Sequence, residues 1–368
     1  MTRPTIDFAA PEDDAAIRSL LRREPMPGRI SVTFEREPDF WLGCKVTGDD
    51  CRVLVAREAG SSEIVGLACR STREAFINGT VRRVGYLGHL RVDSRYRGQW
   101  LVSRGFAKLK QLHDADPLLA YLVSIVDDNR EATGVLVEHQ RRGFPVFHPV
   151  AEFRTMAILV NRAKPALRGD IAISPAHANE LADVARFLNL YGVERQFSPY
   201  WTEEALARLS PLGLNVGDLR IARRGDQIVG IAGLWDQSSY KQTVVRAYSG
   251  WLKLMTPLYN KGAPLLGRRK LPRPGEQILS AYASPFCIAN NDPFVCRALL
   301  RDLYNLARSR GLHTLLIGFD SKDPLMKAVR ELSHVVYPSR IFLAEWPNGE
   351  SIHEQLDRRP TYIDIATL

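Results

Sequence analysis

A chain of 368 residues is long for one domain and comfortable for two of roughly 150 to 200 residues. Its composition, 45% hydrophobic and 25% charged, is typical of globular proteins, and no apolar run approaches the roughly 20 residues that a membrane span needs. The formal net charge of +9, most of it contributed after residue 160, favours anionic partners such as a nucleotide-bearing cofactor, tRNA or an acidic lipid. The same charge weighs against strongly cationic substrates such as polyamines.

The N-terminus and the cysteines indicate a cytoplasmic protein. The first residues form no apolar segment of the kind that a secretory signal contains. No Cys-x-x-Cys pair suggests zinc or redox chemistry, so we expect no metal and interpret the cysteines as buried thiols in a reducing compartment. The cysteines are Cys44, Cys51, Cys69, Cys287 and Cys296.

The first 160 residues predict a succession of strands and helices. Asn78-Gly79 is the strongest hairpin signal. The predicted strands are Thr5–Ala9, Arg52–Arg57, Ile64–Arg70, one near Arg73–Ile77, one ending at Val92, Leu119–Val126 and a final strand pair in Phe147–Val160. The predicted helices are Pro11–Arg23, Gln99–Leu112 and one that opens after Asp127 and closes before Gly143.

The stretch from Tyr86 to Phe106 predicts an apolar strand, a basic turn and the start of a helix. Such a turn places backbone N–H groups at a helix N-terminus, with Arg95 and Arg97 beside them. A phosphate or pyrophosphate group suits this place.

The residues of this stretch resemble the acetyl-CoA loop of the GNAT acyltransferase superfamily. Leu90-Arg91-Val92 and Tyr96-Arg97-Gly98 match the family's Leu-x-Val strand end and its Tyr-Arg-Gly turn. The family continues with Arg/Gln-x-x-Gly-x-Gly/Ala, and Trp100 and Val102 stand where its two later glycines are expected. A side chain at either position must point away from the pyrophosphate or obstruct it.

A second motif supports the resemblance. Asn129-x-x-Ala132 and Gly143-Phe144 resemble the family's later Asn-x-x-Ala and Gly-Phe pair, in the same order. The resemblance covers about residues 3–160 and implies an α/β (α+β) fold with a mixed, largely antiparallel sheet flanked by helices.

The second half of the chain predicts the same plan again. A polar linker at 161–169 is followed by a strand and two helices, then by a hairpin around Arg224-Gly225-Asp226-Gln227, a long strand at Gln277–Cys287 and a helix at Pro293–Arg308. We therefore predict two consecutive GNAT-like domains, at 1–160 and 170–346, with a C-terminal tail or strand at 347–368. A basic insertion at 253–273 separates the hairpin from the long strand and could clamp an anion or form a solvated loop.

The second copy lacks the basic turn. Between Cys287 and the helix at Pro293 the chain has no arginine and no glycine, and Asp292 would repel a pyrophosphate. We therefore expect one cofactor site, in the first copy.

The resemblance also implies site roles. The cofactor-binding residues would be Leu90, Arg91, Val92, Arg95, Arg97, Gly98, Gln99, Trp100, Leu101, Val102 and Asn129. Family members often have an acidic general base three residues before the valine, and His89 occupies that position. Histidine can act as a base near neutral pH. The family's tyrosine acid has no counterpart between Asn129 and Phe144; counting back from Gly143 places His139 there, and counting forward from Asn129 places Leu136.

The resemblance implies an acyltransferase that moves an acyl group from acetyl-CoA or another acyl-CoA to a small-molecule amine. Residue spacing and hydropathy predict no metal and no membrane partner, and we do not expect a nucleic-acid partner other than tRNA. Two alternatives stay open. Trp100, Val102 and the missing tyrosine suit a catalytically silent ligand-binding protein, and the basic second half permits an aminoacyl-tRNA-dependent transferase on the same scaffold.

Overall fold

A computed structural model of the protein describes residues 3–97, 100–138, 143–263, 265, 268–347 and 351–368. The strands are β1 Thr5–Phe8, β2 Ile30–Glu35, β3 Asp50–Arg57, β4 Ile64–Ile77, β5 Thr80–Val92, β6 Tyr121–Val126, β7 Val146–Leu159, β8 Ile171–Pro175, β9 Leu219–Arg224, β10 Gln227–Trp235, β11 Gln242–Tyr248, β12 Ser280–Ile288, β13 Thr314–Asp320 and β14 His334–Glu345. The helices are α1 Asp14–Arg23, α2 Phe40–Thr47, α3 Leu101–Ala115, α4 Arg130–Thr133, α5 Leu181–Gly192, α6 Glu203–Ala207, α7 Gly250–Gly262, α8 Pro293–Ser309 and α9 Ile352–Gln355.

Twelve of these strands, within the described residues, form one sheet in the order β1-β3-β4-β5-β6-β14-β7-β13-β12-β10-β9-β8. Neighbouring strands are antiparallel except for the pairs β5–β6 and β12–β13, which are parallel. The remaining strands, β2 and β11, pair antiparallel in a separate ribbon that joins the two halves of the chain. The predicted fold class, a mixed and largely antiparallel sheet flanked by helices, is confirmed.

Helices cover both faces of the sheet because alternate residues of each strand point to opposite faces. In β10, Ala232 and Leu234 pack into the cluster that contains α8, whereas Ile231 and Trp235 pack with α5. Helix α8 begins where the Asp292 carboxylate accepts hydrogen bonds from the N–H groups of the first turn. The Asp292 cap therefore sets where α8 begins, and its apolar face holds it against the sheet.

The two halves exchange their last long strands. Strand β14, near the end of the chain, lies between β6 and β7, and β7 from the first half pairs with β13 of the second. The strand pair predicted within Phe147–Val160 is therefore wrong: this segment is a single strand, β7, whose two neighbours come from the second half. The pairing partners lie too far along the chain for local pattern to indicate them.

Other local predictions also differ from the structure. The segments 64–70 and 73–77 form one continuous strand, β4. The tail at 360–368 alternates like a strand but forms only an isolated bridge, between Gln196 and Thr361, and a 3-10 turn at Ile365–Thr367. The first part of the predicted insertion at 253–273 belongs to helix α7, which begins at Gly250. None of the helices in the described residues is both long and apolar enough to cross a membrane.

Candidate functional site

Strands β5 and β6 open into a wedge. They pair only at Gly85 with Tyr121 and at Tyr86 with Leu122, within the described residues. Beyond this point β6 continues to pair with β14 on its other side, so it leaves β5. Within the described residues, the 87–92 backbone therefore has no partner strand on the side of β6, and its residues are half-buried or exposed.

A β-bulge in β5 lies at the wedge. Leu67 pairs with Arg91 and Cys69 pairs with Gly88, so His89 and Leu90 together face a single residue of β4. The backbone of His89 has φ of +56°, in the left-handed region that side chains rarely adopt. The bulge turns the strand and gives the two residues orientations that regular alternation would not.

The predicted phosphate-binding arginines are held by carboxylates. Arg95 binds Asp93 at 2.9 Å and Glu63 at 2.6 Å, and its hydrogen bonds are the main cause that lowers the pKa of Asp93. Arg97 binds the buried Glu24 at 2.7 Å and Glu131 at 3.3 Å.

The two arginines differ in position. Arg97 reaches Glu131, which follows β6, and its Nε donates to the Val92 carbonyl at 3.3 Å, so it spans the mouth of the wedge. Arg95 points instead toward Glu63 in the β3–β4 connection. The Leu90 carbonyl accepts a hydrogen bond from Arg91 at 2.9 Å.

Trp100 and Val102 make contacts that do not require them to enter the wedge. The Trp100 ring lies 4.6 Å from the guanidinium carbon of Arg104 and 5.3 Å from that of Arg3. Val102 packs against the core cluster that contains Phe106. Leu101 is buried at the start of α3. The predicted residues Gly98 and Gln99 lie outside the described residues.

Asn129 begins the helix that follows β6. Its side-chain oxygen accepts a hydrogen bond from the Ala132 N–H at 3.0 Å, so it caps α4. Leu136, the other position considered for an acid, is buried in the core. His139 lies outside the described residues. Among the described residues, no group of three or more His, Cys, Asp or Glu side chains is placed to hold a metal ion.

His89 lies half-buried beside the wedge, with its ring 6.0 Å from that of Phe40. Burial lowers the pKa of His89 well below its usual value, and the positive charges of Arg36, Lys241 and Arg91 lower it further. The imidazole is consequently neutral at physiological pH and able to accept a proton. Neither Arg36 nor Lys241 stands in a motif, and the sequence offered no signal that would bring them to His89.

The second half repeats the wedge but fills it. Strands β12 and β13 pair at three positions and then separate, and a bulge lies in β12 near Ser284. Here the C-terminal segment packs against the separating strands: the Asp364 carboxylate accepts from the Ser284 hydroxyl at 2.7 Å, and Ile365 lies over Gly318. The carboxylate of Asp292, which caps α8, is held by Arg224 at 3.2 Å.

No family model and no curated protein matches this sequence. Solved structures do match. N-myristoyltransferase from Saccharomyces cerevisiae, with bound myristoyl-CoA, aligns over 99% of this chain and 86% of its own, with a TM-score of 0.65 and 9% identity. A GCN5-related N-acetyltransferase from Sphaerobacter thermophilus aligns over 100% and 99%, with a TM-score of 0.56 and 14% identity.

A third match is the GCN5-related glucosamine N-acetyltransferase region of a fungal multi-domain β-N-acetylglucosaminidase, with a TM-score of 0.59 and 12% identity. It covers 94% of this chain, which spans 38% of the fungal chain. At these identities the likeness concerns the fold. The wedge, the bulge and the sheet order accordingly occur in a chain that has the GNAT fold, the fold of the GCN5-related N-acetyltransferases and the N-myristoyltransferases.

Proposed function

We propose that this protein is an acyl-CoA-dependent N-acyltransferase whose cofactor site is the wedge between β5 and β6. The observation that carries the proposal is the early separation of the two parallel strands, which leaves the 87–92 backbone without a partner on the side of β6, next to a basic turn and the start of α3. Similar structures that are acyltransferases support it, one of them with bound myristoyl-CoA.

In the proposed reaction the amine nitrogen attacks the thioester carbonyl carbon, the carbon–sulfur bond breaks and the coenzyme A thiolate leaves. His89, neutral at physiological pH, accepts the proton that the amine loses. Backbone groups of 88–92 hold the pantetheine arm, and Arg97 contacts a phosphate after releasing at least one of its carboxylate partners. Acetyl-CoA is the first donor to test, and the acceptor is a small molecule with an amine.

The experiment is calorimetric titration of the full chain with acetyl-CoA, octanoyl-CoA and myristoyl-CoA, followed by an assay of thiol release with amines. We expect saturable binding of at least one thioester and acceptor-dependent release of coenzyme A. Absence of binding by all three thioesters would contradict the proposal.

A silent ligand-binding protein is the second candidate, because carboxylates already neutralise Arg95 and Arg97. Binding of a thioester without turnover on any amine would favour it.

A further inference from the structure

Helix α7 exposes an apolar stripe. Trp251, Leu254, Met255 and Leu258 have the spacing of residues that share one face of a helix. Leu254 is 78%, Leu258 64%, Trp251 62% and Met255 45% exposed. No described part of the chain covers this face.

Exposed apolar residues are concentrated in this one segment. Five large apolar residues in the described part of the chain are more than 60% exposed, and four of them lie between 251 and 265. The last of these four is Leu265, and the one outside the segment is Leu190 on α5. Single exposed apolar residues are ordinary on a protein surface, whereas a contiguous group marks an interaction site.

The opposite side of α7 is attached to the protein. The Asn260 side chain donates to the Leu271 carbonyl at 3.0 Å and accepts from the Leu271 N–H at 2.8 Å. The Tyr259 hydroxyl donates to the Arg269 carbonyl at 3.3 Å, and the Arg269 guanidinium donates to the Gly311 carbonyl at 2.8 Å. These bonds fix which face of the helix is turned outward, so the apolar stripe stays exposed while they hold.

The stripe lies in a strongly basic segment. From Gly250 to Arg273 the chain has six lysines and arginines and no acidic residue. Within the described residues, the side chain of none of the six forms an ion pair. The six cations are Lys253, Lys261, Arg268, Arg269, Lys270 and Arg273. A negatively charged surface is therefore the electrostatic complement of this segment.

The cations border the stripe and continue past the helix. Lys261 follows Leu254 by seven residues, so at about 3.6 residues per turn it lies at nearly the same angle around the helix axis. Arg268, which follows the helix, lines a cavity of about 430 Å³ together with Arg162 and Lys164. No acidic residue is among the described residues that line this cavity. Positive charge therefore lies beside the apolar face and beyond its C-terminal end.

We propose that α7 binds in the plane of an anionic lipid bilayer, with its apolar face among the acyl chains and its basic residues at the headgroups. An apolar stripe with adjacent cations is the pattern of helices that bind in this way, and it combines apolar burial with attraction to acidic lipids. Hydropathy tests for spanning segments, and this mode of association needs none. The proposal goes beyond acyl transfer and does not depend on it.

Charge and chemistry distinguish a bilayer from other occupants of this face. In a two-fold dimer of this chain the patch would face its own copy, so six cations would lie against six cations. A nucleic acid would match the charges, but its phosphates and sugars would offer Leu254 and Leu258 no apolar environment. An acidic bilayer supplies both a negative surface and an apolar interior.

Co-sedimentation of the full chain with vesicles tests the proposal. Phosphatidylcholine vesicles that contain about 30% phosphatidylglycerol should bind the protein at least tenfold better than pure phosphatidylcholine vesicles. Added salt should weaken this binding because it screens the charges. Equal binding to the two kinds of vesicle, or binding to neither, would refute the proposal.

Serine variants test the apolar face. Leu258→Ser should weaken vesicle binding at least tenfold, and Leu254→Ser in the same chain should abolish it. Leu190→Ser is the matched control, since this residue is 62% exposed on α5, and it should bind as the parent does. The replaced side chains are exposed, so the thermal midpoint of the double variant should equal that of the parent. Vesicle binding that the double variant retains would overturn the proposal.

Glutamine variants test the charges. Lys253→Gln with Lys261→Gln should reduce the preference for phosphatidylglycerol at least fivefold, because each cation near an acidic surface adds to the attraction. Lys45→Gln with Arg208→Gln removes two exposed cations elsewhere and should leave the preference unchanged. A preference that the first pair keeps in full would contradict the proposal.

Trp251 reports insertion directly. It is the most exposed of the six tryptophans, all of which the structure describes. Lipids brominated on their acyl chains should quench the fluorescence of the parent and quench Trp251→Phe much less. This measurement separates insertion from electrostatic attachment, and it decides even if a serine variant does not fold. Equal quenching of the two proteins would rule out an inserted α7.

Two further measurements complete the test. Size-exclusion chromatography without vesicles should show no dimer that Leu258→Ser dissolves, because such a dimer would assign the face to a second copy and refute the proposal. Acyl-CoA titrations without vesicles should be the same for the parent and for every α7 variant. Failure of the bilayer proposal therefore leaves the acyltransferase in place, and failure of acyl-CoA binding leaves the bilayer proposal in place.

Discussion

His89 combines an unusual backbone with an unusual electrostatic environment. A non-glycine residue at φ of +56° is strained, and asparagine tolerates this region better than most residues. The strain is confined to a bulge whose other residue, Leu90, borders the wedge. The side chain of His89 can therefore reach a ligand. A side chain of a regular strand that faced the core could not.

Replacement of His89 by asparagine should keep the bulge and remove the base. Because loss of a general base usually costs about 10²- to 10⁴-fold in rate, we expect turnover to fall by at least the lower figure while acyl-CoA binds normally. Steady-state kinetics and calorimetry on the same preparation measure both. Turnover within a few-fold of the parent would make His89 a structural residue.

The pH dependence follows from the same environment. Burial and the charges of Arg36, Lys241 and Arg91 lower the pKa of His89, so the base form is complete at neutral pH and is lost only as the pH falls well below 6.5. We expect the ascending limb of kcat/KM in that acidic range and no change due to His89 between pH 7 and 8. An ascending limb of kcat/KM above pH 7 would contradict this assignment.

Arg97 lies at the mouth of the wedge, whereas Arg95 points away from it. Arg97→Gln should weaken acyl-CoA binding by about tenfold, the size of one charge-assisted phosphate contact. The exposed Arg52 is the matched control, and Arg52→Gln should leave affinity unchanged. Calorimetry that finds equal affinities for the two variants would remove Arg97 from the site.

At the scale of elements, local pattern predicted those whose partners are close in sequence. The hairpin at Asn78-Gly79, the strand that ends at Val92 and helix α3 all follow from turn chemistry and periodicity. The ribbon of β2 and β11 was not predicted, because its strands pair across roughly 200 residues of chain. Helix α7 was not predicted either, since it contains Pro257 and buries none of its described residues.

The residues of the candidate site also fall into those that the sequence indicated and those that it did not. A motif marked the strand and turn around His89 and Arg97, because backbone geometry at a phosphate site constrains residue type. Arg36 and Lys241 come near His89 only because the ribbon of β2 and β11 joins segments that lie far apart in the sequence. Nothing in a local window distinguishes them from surface cations.

The filled second wedge has a measurable consequence. Since the C-terminal segment packs against β12 and the Asp292 carboxylate caps α8, we expect calorimetry to give about one acyl-CoA per chain. Asp364→Asn, which weakens the bond to Ser284 without adding a cation, should not create a second site. A stoichiometry of two for the unaltered protein would show that the second wedge opens.

For the whole molecule, the exchanged strands determine whether either half can fold without the other. A fragment of residues 1–165 lacks β14 and β13, so β6 loses one of its two neighbours and β7 loses both. We expect this fragment alone to lack a cooperative thermal transition and to aggregate, whereas co-expression with 166–368 should restore a folded complex. Circular dichroism and size-exclusion chromatography measure both. A monomeric, cooperatively folding fragment would show that the first half completes its own sheet.

The exchange of strands also imposes a delay between the synthesis of β6 and that of its partner β14. Strand β6 leaves the ribosome roughly 200 residues before β14, which at 5 to 20 residues per second is on the order of 10 to 40 s. Throughout that interval the nascent chain presents an unpaired edge that other chains could join. Translation that stops anywhere before about residue 345 yields a product in which neither half is closed. The cell's quality control would therefore meet every such product as an open sheet and never as a finished half.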